Sequence, residues 1–329
     1  MVWVTQRRFL YRVEVTLRRT LLRASVLAFA GVALVACDLA QPVAGVKTPR
    51  VRPSDLGTPQ VRPTSQASAE LRSYLVQVQS AQLGQGLLRQ DGGGADTPFT
   101  ADMLARNFER IVFFNEYASD LEGRGGESPL RRWAGPVRVG TIFGPGVPPS
   151  QRASDNTIIR DYARRLGQIS DHPVMNAPNQ NFIVIVASED DRNDALDAAA
   201  ARIPAIGRAS LNALRNLPRD TYCAVAAFAA GPDPNTYTAA VAIIRSENPD
   251  LIRLSCVHEE MAQGLGLAND SRDARPSIFN DDDEFALLTR HDEMLLKMLY
   301  DPRLEPGMSA AEAAPITRII AREMINGPL

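Results

Sequence analysis

Histidine is scarce in this chain, three residues in 329, and so is cysteine, also three; the formal net charge is only −2. So slight a charge excludes a surface built to attract nucleic acid. Beyond the N-terminal segment no apolar run reaches the roughly 18–20 residues that a membrane-spanning helix needs. There is no internal repeat, no G-x-S-x-G nucleophile turn and no glycine-rich phosphate loop, so the enzyme classes that depend on them have no foothold here. What the chain does have is apolar residues, 45% of the total. That is enough for a substantial core, and the length fits one large domain or two small ones.

The N-terminal segment has the order of an export signal. Arg18, Arg19 and Arg23 precede the apolar run "ASVLAFAGVALVA" at 24–36, and "LVAC" follows with Cys37. A cysteine directly after Leu-Val-Ala resembles a bacterial lipobox, which makes residues 1–36 a signal peptide and Cys37 the lipid-bearing first residue of the mature chain. "RRTLLR" at 18–23 also resembles a twin-arginine signal, with ordinary secretion the favoured route. Asp38 resembles an inner-membrane retention signal. The expectation is a periplasm-facing lipoprotein held to the membrane, preferably the inner one, through Cys37. Residues 37–67, rich in Pro, Thr, Ser and Val and without helical period, fit a flexible tether. With Cys37 lipidated, Cys223 and Cys256 remain. In an oxidising compartment they form a disulfide candidate, two buried free thiols being the other reading.

Folded structure is expected from about Ser68, a candidate cap for a helix through Leu71, Leu75 and Val78. Thr100 caps a second helix with Leu104, Phe108, Ile111 and Val112 at i, i+4, i+7 and i+8. "WAGPVRVGTIFG" (133–144) alternates like a strand, and a helix follows from about Ser154. "NFIVIVAS", "YCAVAAFA" and "TYTAAVAII" are continuous apolar runs suited to buried strands, with a helical excursion at about 189–216. This order predicts a mixed α+β layer fold in a domain spanning 68–308. "SAAE" at 309–312 opens a last helix as a capping box, with Pro315 interrupting its early turns.

The chemistry concentrates in "SCVHEEMAQGLGLAND", 255–270. Asn248 as N-cap and Pro249 at the first helical position would open this helix. Leu251, Leu254, Val257, Met261 and Leu265 would face the core, and Ile252, Cys256, Glu259 and Gln263 share another side. A zinc-peptidase helix places two histidines at i and i+4, so that both reach one metal, with a glutamate base at i+1. Counted from His258, position i+4 is Ala262, which ligates nothing. Counted from Glu259, positions i and i+4 are Glu259 and Gln263, and Glu260 takes the base position. Gly266 then falls at i+7, where a sharp helix end turns the chain back, and Asn269, with Asp270 beside it, falls at i+10. The second register resembles the metzincin pattern H-E-x-x-H-x-x-G-x-x-H/D. Downstream, "PSIFND" stands where the metzincin methionine turn would lie, with Phe279 in place of the methionine. "LTRHDEMLLKMLYDPRL" then supplies the following helix, capped by Thr289.

Taken together, the lipobox, "CVHEEMAQGLGL", "PSIFNDDDEFALLT" and "LYDPRL" resemble a bacterial lipoprotein family known as domain of unknown function 2927. The resemblance covers roughly residues 100–308 and implies no activity. The metzincin-like register implies a zincin-like single domain, a mixed sheet carrying an active-site-type helix. Glu259, Gln263, Asn269 and Asp270 are its metal-ligand positions and Glu260 its general base. An all-oxygen set suits calcium, magnesium or manganese better than zinc. Three readings follow: a degenerate domain that binds or scaffolds an envelope protein or peptide; a metal-dependent hydrolase using Glu260; and a buried helix with structural polar groups. His258, about a hundred degrees around the helix from Glu259, is expected to be structural. His291 is expected at the surface or capping a helix, His172 in a loop, and the acidic run at 280–284 in solvent.

Overall fold

The computed structural model describes residues 63–115, 126–204, 206, 208–280 and 282–327. Cys37, the export signal and nearly all of the tether lie outside them. In chain order the elements are α1 (Gln66–Gly84), α2 (Ala101–Val112), β1 (Arg132–Trp133), β2 (Val137–Phe143), α3 (Pro149–Ser170), β3 (Val174–Asn176), β4 (Phe182–Ala187), α4 (Arg192–Arg202) and α5 (Arg208–Arg215). They continue with β5 (Cys223–Phe228), β6 (Thr236–Tyr237), β7 (Ala239–Arg245), α6 (Asp250–Gln263), α7 (Arg290–Leu299) and α8 (Ala310–Asn326).

A five-stranded sheet runs β3-β2-β4-β7-β5, parallel throughout except for β5, which closes one edge antiparallel to β7. β1 and β6 form a separate short parallel pair. The mixed α+β expectation holds. The central strands are apolar without interruption because both faces are covered. Phe182, Val184 and Val186 of β4, with Ala240, Ala242 and Ile244 of β7, enter the larger core, which also holds α6 and α7. The alternate residues Ile183, Ile185, Val241 and Ile243 pack with Leu196, Ala199, Leu211 and Leu214 of α4 and α5. The same alternation in β5 sends Cys223 to the α6 side and Ala224 to the other. Among the described residues no helix is long and apolar enough to cross a membrane.

Several element ends differ from expectation. Ser65, not Ser68, caps α1 by accepting from the Ser68 amide at 3.1 Å. Ser68 is buried and donates to Glu247 at 2.6 Å. α3 starts at Pro149, five residues ahead of Ser154, because a proline suits the first helical position through its fixed φ and missing N–H. "TYTAAVAII" divides at Thr238, whose amide donates to Phe228 O at 2.8 Å. Pro315 lies inside α8 without breaking it. α8 keeps the expected Ser309–Glu312 capping box and packs on α2 and α7 with Ala313, Thr317, Ile320 and Ala321 buried.

Candidate functional site

α6 is the element on which the candidate residues lie, and the fold encloses it. Every residue from Ser255 to Gln263 is buried, so both of its sides face protein. Both expected sides are therefore buried from Ser255 onward, and Leu251 and Leu254, expected to face the core, are only half-buried, because the side of Ile252 and Cys256 is the one that packs inward there. The entry is also one residue later: Pro249 is the N-cap and Asp250 the first helical residue. Asn248 spends its amide on Tyr222 O at 3.0 Å. The helix has no side-chain cap of its own, and one of its orphan amides, Ile252 N, instead donates to Gln79 Oε1 of α1 at 3.1 Å. Arg253 fixes the same end to α3 through Asp155, at 2.9 and 3.1 Å, both residues buried. Burial pushes the Asp155 carboxyl up from its ordinary value, while Arg253 opposes the shift.

The other end is held by close backbone contacts. Trp133 Nε1 donates to Gly264 O at 2.8 Å, and Tyr300 Oη to Leu265 O at 3.0 Å. Gly266 has φ +124°, and a Cβ there would stand 2.5 Å from Arg131 O. Both its torsion and its neighbour therefore demand glycine, and the chain turns back after it. The returning loop joins the "PSIFND" turn, where Ser271 N donates to Phe279 O at 2.8 Å. Phe279 is fully buried. Asp292 organises that turn. Its Oδ2 accepts from Ile278 N, Thr289 N and Thr289 Oγ1 at 2.9–3.0 Å, and its Oδ1 from Ser277 Oγ at 2.5 Å. One buried carboxylate thus closes the capping box of α7 and pins the turn to the start of that helix.

Glu259, Glu260 and Cys223 each present a ligand atom within 4.8 Å of the others, and all three are buried. Cys223 is joined to Cys256, with Cα atoms 5.9 Å apart, so the disulfide fastens α6 to β5. Gln263 lies one turn beyond Glu259. Its Nε2 donates to Asp270 Oδ1 at 3.0 Å, while its buried Oε1 has no hydrogen-bond partner. Gln263 and Asp270 therefore meet. Asn269 is half-buried and gives its amide to Arg110 O at the end of α2, 2.8 Å away. Cys223, on a strand edge thirty-odd positions upstream, is the member that no helix-based pattern picks out.

The histidines divide differently from expectation. His258 Nδ1 accepts from Leu288 N at 3.2 Å, Tyr162 Oη donates to His258 O at 2.8 Å, and the two rings stack with centroids 4.1 Å apart. Burial holds its pKa down at about 3, so the ring is neutral and structural. His291 is fully buried, not at the surface. Its Nε2 lies 3.0 Å from Asn107 Nδ2 and Phe99 packs edge-on against the ring. The helix cap above it belongs to Thr289 and Asp292. His172 sits in the α3–β3 loop as expected, 2.9 Å from Gly135 O. Of the acidic run, Asp282 is exposed as expected, whereas Asp283 accepts from Gln82 at 2.8 Å and Glu284 pairs with Arg89 and Arg275.

Zinc does not fit the metal-ligand positions as they stand. It prefers nitrogen and sulfur donors in a tetrahedral set. Here the helix supplies carboxylates and an amide, Asn269 turns to α2, and the adjacent sulfur of Cys223 is bonded to Cys256. A hard cation such as calcium takes six or more oxygens; of the expected positions only Glu259 and Glu260 bring carboxylate oxygens together, while Gln263 turns its amide to Asp270.

The chain matches no curated protein and no solved structure. Residues 101–319 match a family profile described as "Protein of unknown function (DUF2927)", which spans α2 to α8, the whole of α6 and the turn around Phe279 included. The chain belongs to that family.

Proposed function

We propose that this protein is an exported envelope lipoprotein, anchored through Cys37, with a zincin-like domain whose metal helix is degenerate and which binds an envelope protein or peptide instead of cleaving it. The observation that carries the reading is the fate of the metzincin-length motif. In support of a kept scaffold stand the helix α6, the glycine turn at Gly266, the buried turn around Phe279 and the capped α7. Its ligand positions hold Glu259 and Gln263 in place of imidazoles, and Asn269 is engaged by α2. A mixed sheet with an antiparallel edge strand beside the helix agrees with a zincin-like arrangement. Such a domain keeps a rigid frame built on the buried α6 while lacking zinc's donors.

The test is twofold. Metal analysis of the purified oxidised protein is expected to find substoichiometric metal, and cross-linking in intact envelopes to capture a discrete partner. Stoichiometric metal, together with hydrolysis of a peptide library that Glu260→Gln abolishes, would replace this reading with that of a working hydrolase. Cys37→Ser is expected to move the protein from the membrane to the soluble fraction. Retention on the membrane would remove the lipid anchor.

A further inference from the structure

The donors that zinc lacks on α6 lie next to it, locked in the disulfide. Cys223 Sγ is within 4.8 Å of ligand atoms of Glu259 and Glu260. Cys256, bonded to Cys223, precedes Glu259 and Glu260 by three and four residues, one helical turn. We propose that opening the Cys223–Cys256 disulfide creates a zinc-binding site, with Cys223, Glu259 and Glu260 as ligands and Cys256 as the fourth donor.

The distances favour this arrangement. Zn–S near 2.3 Å and Zn–O near 2.0 Å place tetrahedral ligand atoms about 3.5 Å apart, so the three groups need to close by about an ångström. A dication offsets two of the four negative charges of such a shell, and sulfur and carboxylate oxygen are both donors that zinc takes. Two further groups at the site point to a ligand. Asn248, itself buried, has Nδ2 3.7 Å from Cys256 Sγ, placed to support a thiolate. Gln263 Oε1, buried and without a hydrogen-bond partner, lies three residues beyond Glu260 on the same helix. The chemistry balances with a dithiol reductant. Two electrons and two protons pass to the disulfide, leaving two protein thiols and the oxidised reductant. Zinc then displaces one proton from each thiol it binds.

The proposal goes beyond the binding reading and stands without it, because one concerns the oxidised protein and the other the opened form. Cobalt(II) is the probe, in full-length Cys37→Ser protein so that no third thiol contributes. Adding Cys256→Ala frees Cys223 without reductant. This variant is expected to bind one equivalent of cobalt with a thiolate-to-metal charge-transfer band that zinc displaces. The disulfide-bonded parent is expected to lack the band until a non-chelating phosphine reduces it. Cys223→Ser should abolish the band, and Glu259→Gln or Glu260→Gln should weaken binding at least tenfold. A folded, phosphine-reduced Cys37→Ser protein with both Cys223 and Cys256 free and no band overturns the site, as does a band indifferent to both carboxylates. Should freeing Cys223 unfold the protein, stoichiometric zinc is expected to restore its circular dichroism and thermal transition; failure to restore them also overturns the proposal.

Discussion

At the scale of single residues, three positions do work that their side-chain chemistry alone would not announce. Gly266 combines a left-handed torsion with a carbonyl in the space of a Cβ. Gly266→Ala is therefore expected to cost about 2–3 kcal/mol or more, read as a lowered midpoint of denaturant unfolding. Asp292 satisfies four buried donors. Asp292→Ala strands Ile278 N, Thr289 N and Ser277 Oγ at roughly 1–3 kcal/mol each, while Thr289 Oγ1 keeps Pro276 O as acceptor, so a variant that fails to give a cooperative thermal transition is the expected outcome, and Asp292→Asn should recover part of it. His258 predicts a pH effect. Its folded pKa, about 3, lies below the unfolded value of roughly 6.5. The unfolded chain therefore takes up a proton first as pH falls. Stability from this residue is complete above about pH 6.5 and declines below it by up to about 1.4 kcal/mol per pH unit until the folded pKa is reached. Unfolding midpoints at pH 7.5 and 5.5 should differ less in His258→Gln than in the parent; equal differences would assign the effect elsewhere. Gly266 and Glu259 could be placed from sequence because a helical motif has fixed spacing. Asp292 could be placed only as a helix-cap residue, since its second duty spans two segments.

At the scale of elements, α6 is secured at three points along its length. Gln79 and Arg253 hold its start, the disulfide its middle, and Trp133 with Tyr300 its end. The bridge closes a loop with a sequence separation of 33. By the loop-entropy account its removal costs about 3–4 kcal/mol, and for a domain of this size that lowers the melting temperature by roughly 10 °C. Calorimetry of Cys256→Ala without metal measures it, and a shift below about 3 °C would contradict the entropic account. α7 and α8 carry their own punctuation, Thr289 with Asp292 and Ser309 with Glu312. Their starts are legible in the sequence because a capping box is local chemistry. α6 lacks such a box and borrows its cap from α1, so the sequence places its start one residue early.

At the scale of the whole molecule, the larger core joins α1, α2, α7 and α8 to the sheet through α6. α8 belongs to that core through Ala313, Ile320 and Ala321, all buried. Ending the chain at Gly307 removes these contacts and bares the face of α2 beneath them. The truncated protein is expected to lose at least about 3 kcal/mol by the area it uncovers, and to be cleaved by protease at temperatures where the full chain resists. Equal resistance would make α8 an appendage.

The sequence by itself determined what repeats at short range. Alternation and continuous apolar runs set the strands, cap residues set α2, α7 and α8, and helical period with its glycine end set α6 and the turn at Gly266. Membership of the family follows from the same local motifs. Tertiary structure alone decided which polar groups meet. It seated Cys223 beside Glu259 and Glu260, turned Asn269 toward Arg110 and buried His291. It also buried the helix from Ser255 to Gln263. Such outcomes depend on the sheet order β4-β7-β5 and on loops closing over long separations, and burial and long-range pairing leave no period in the chain to be read.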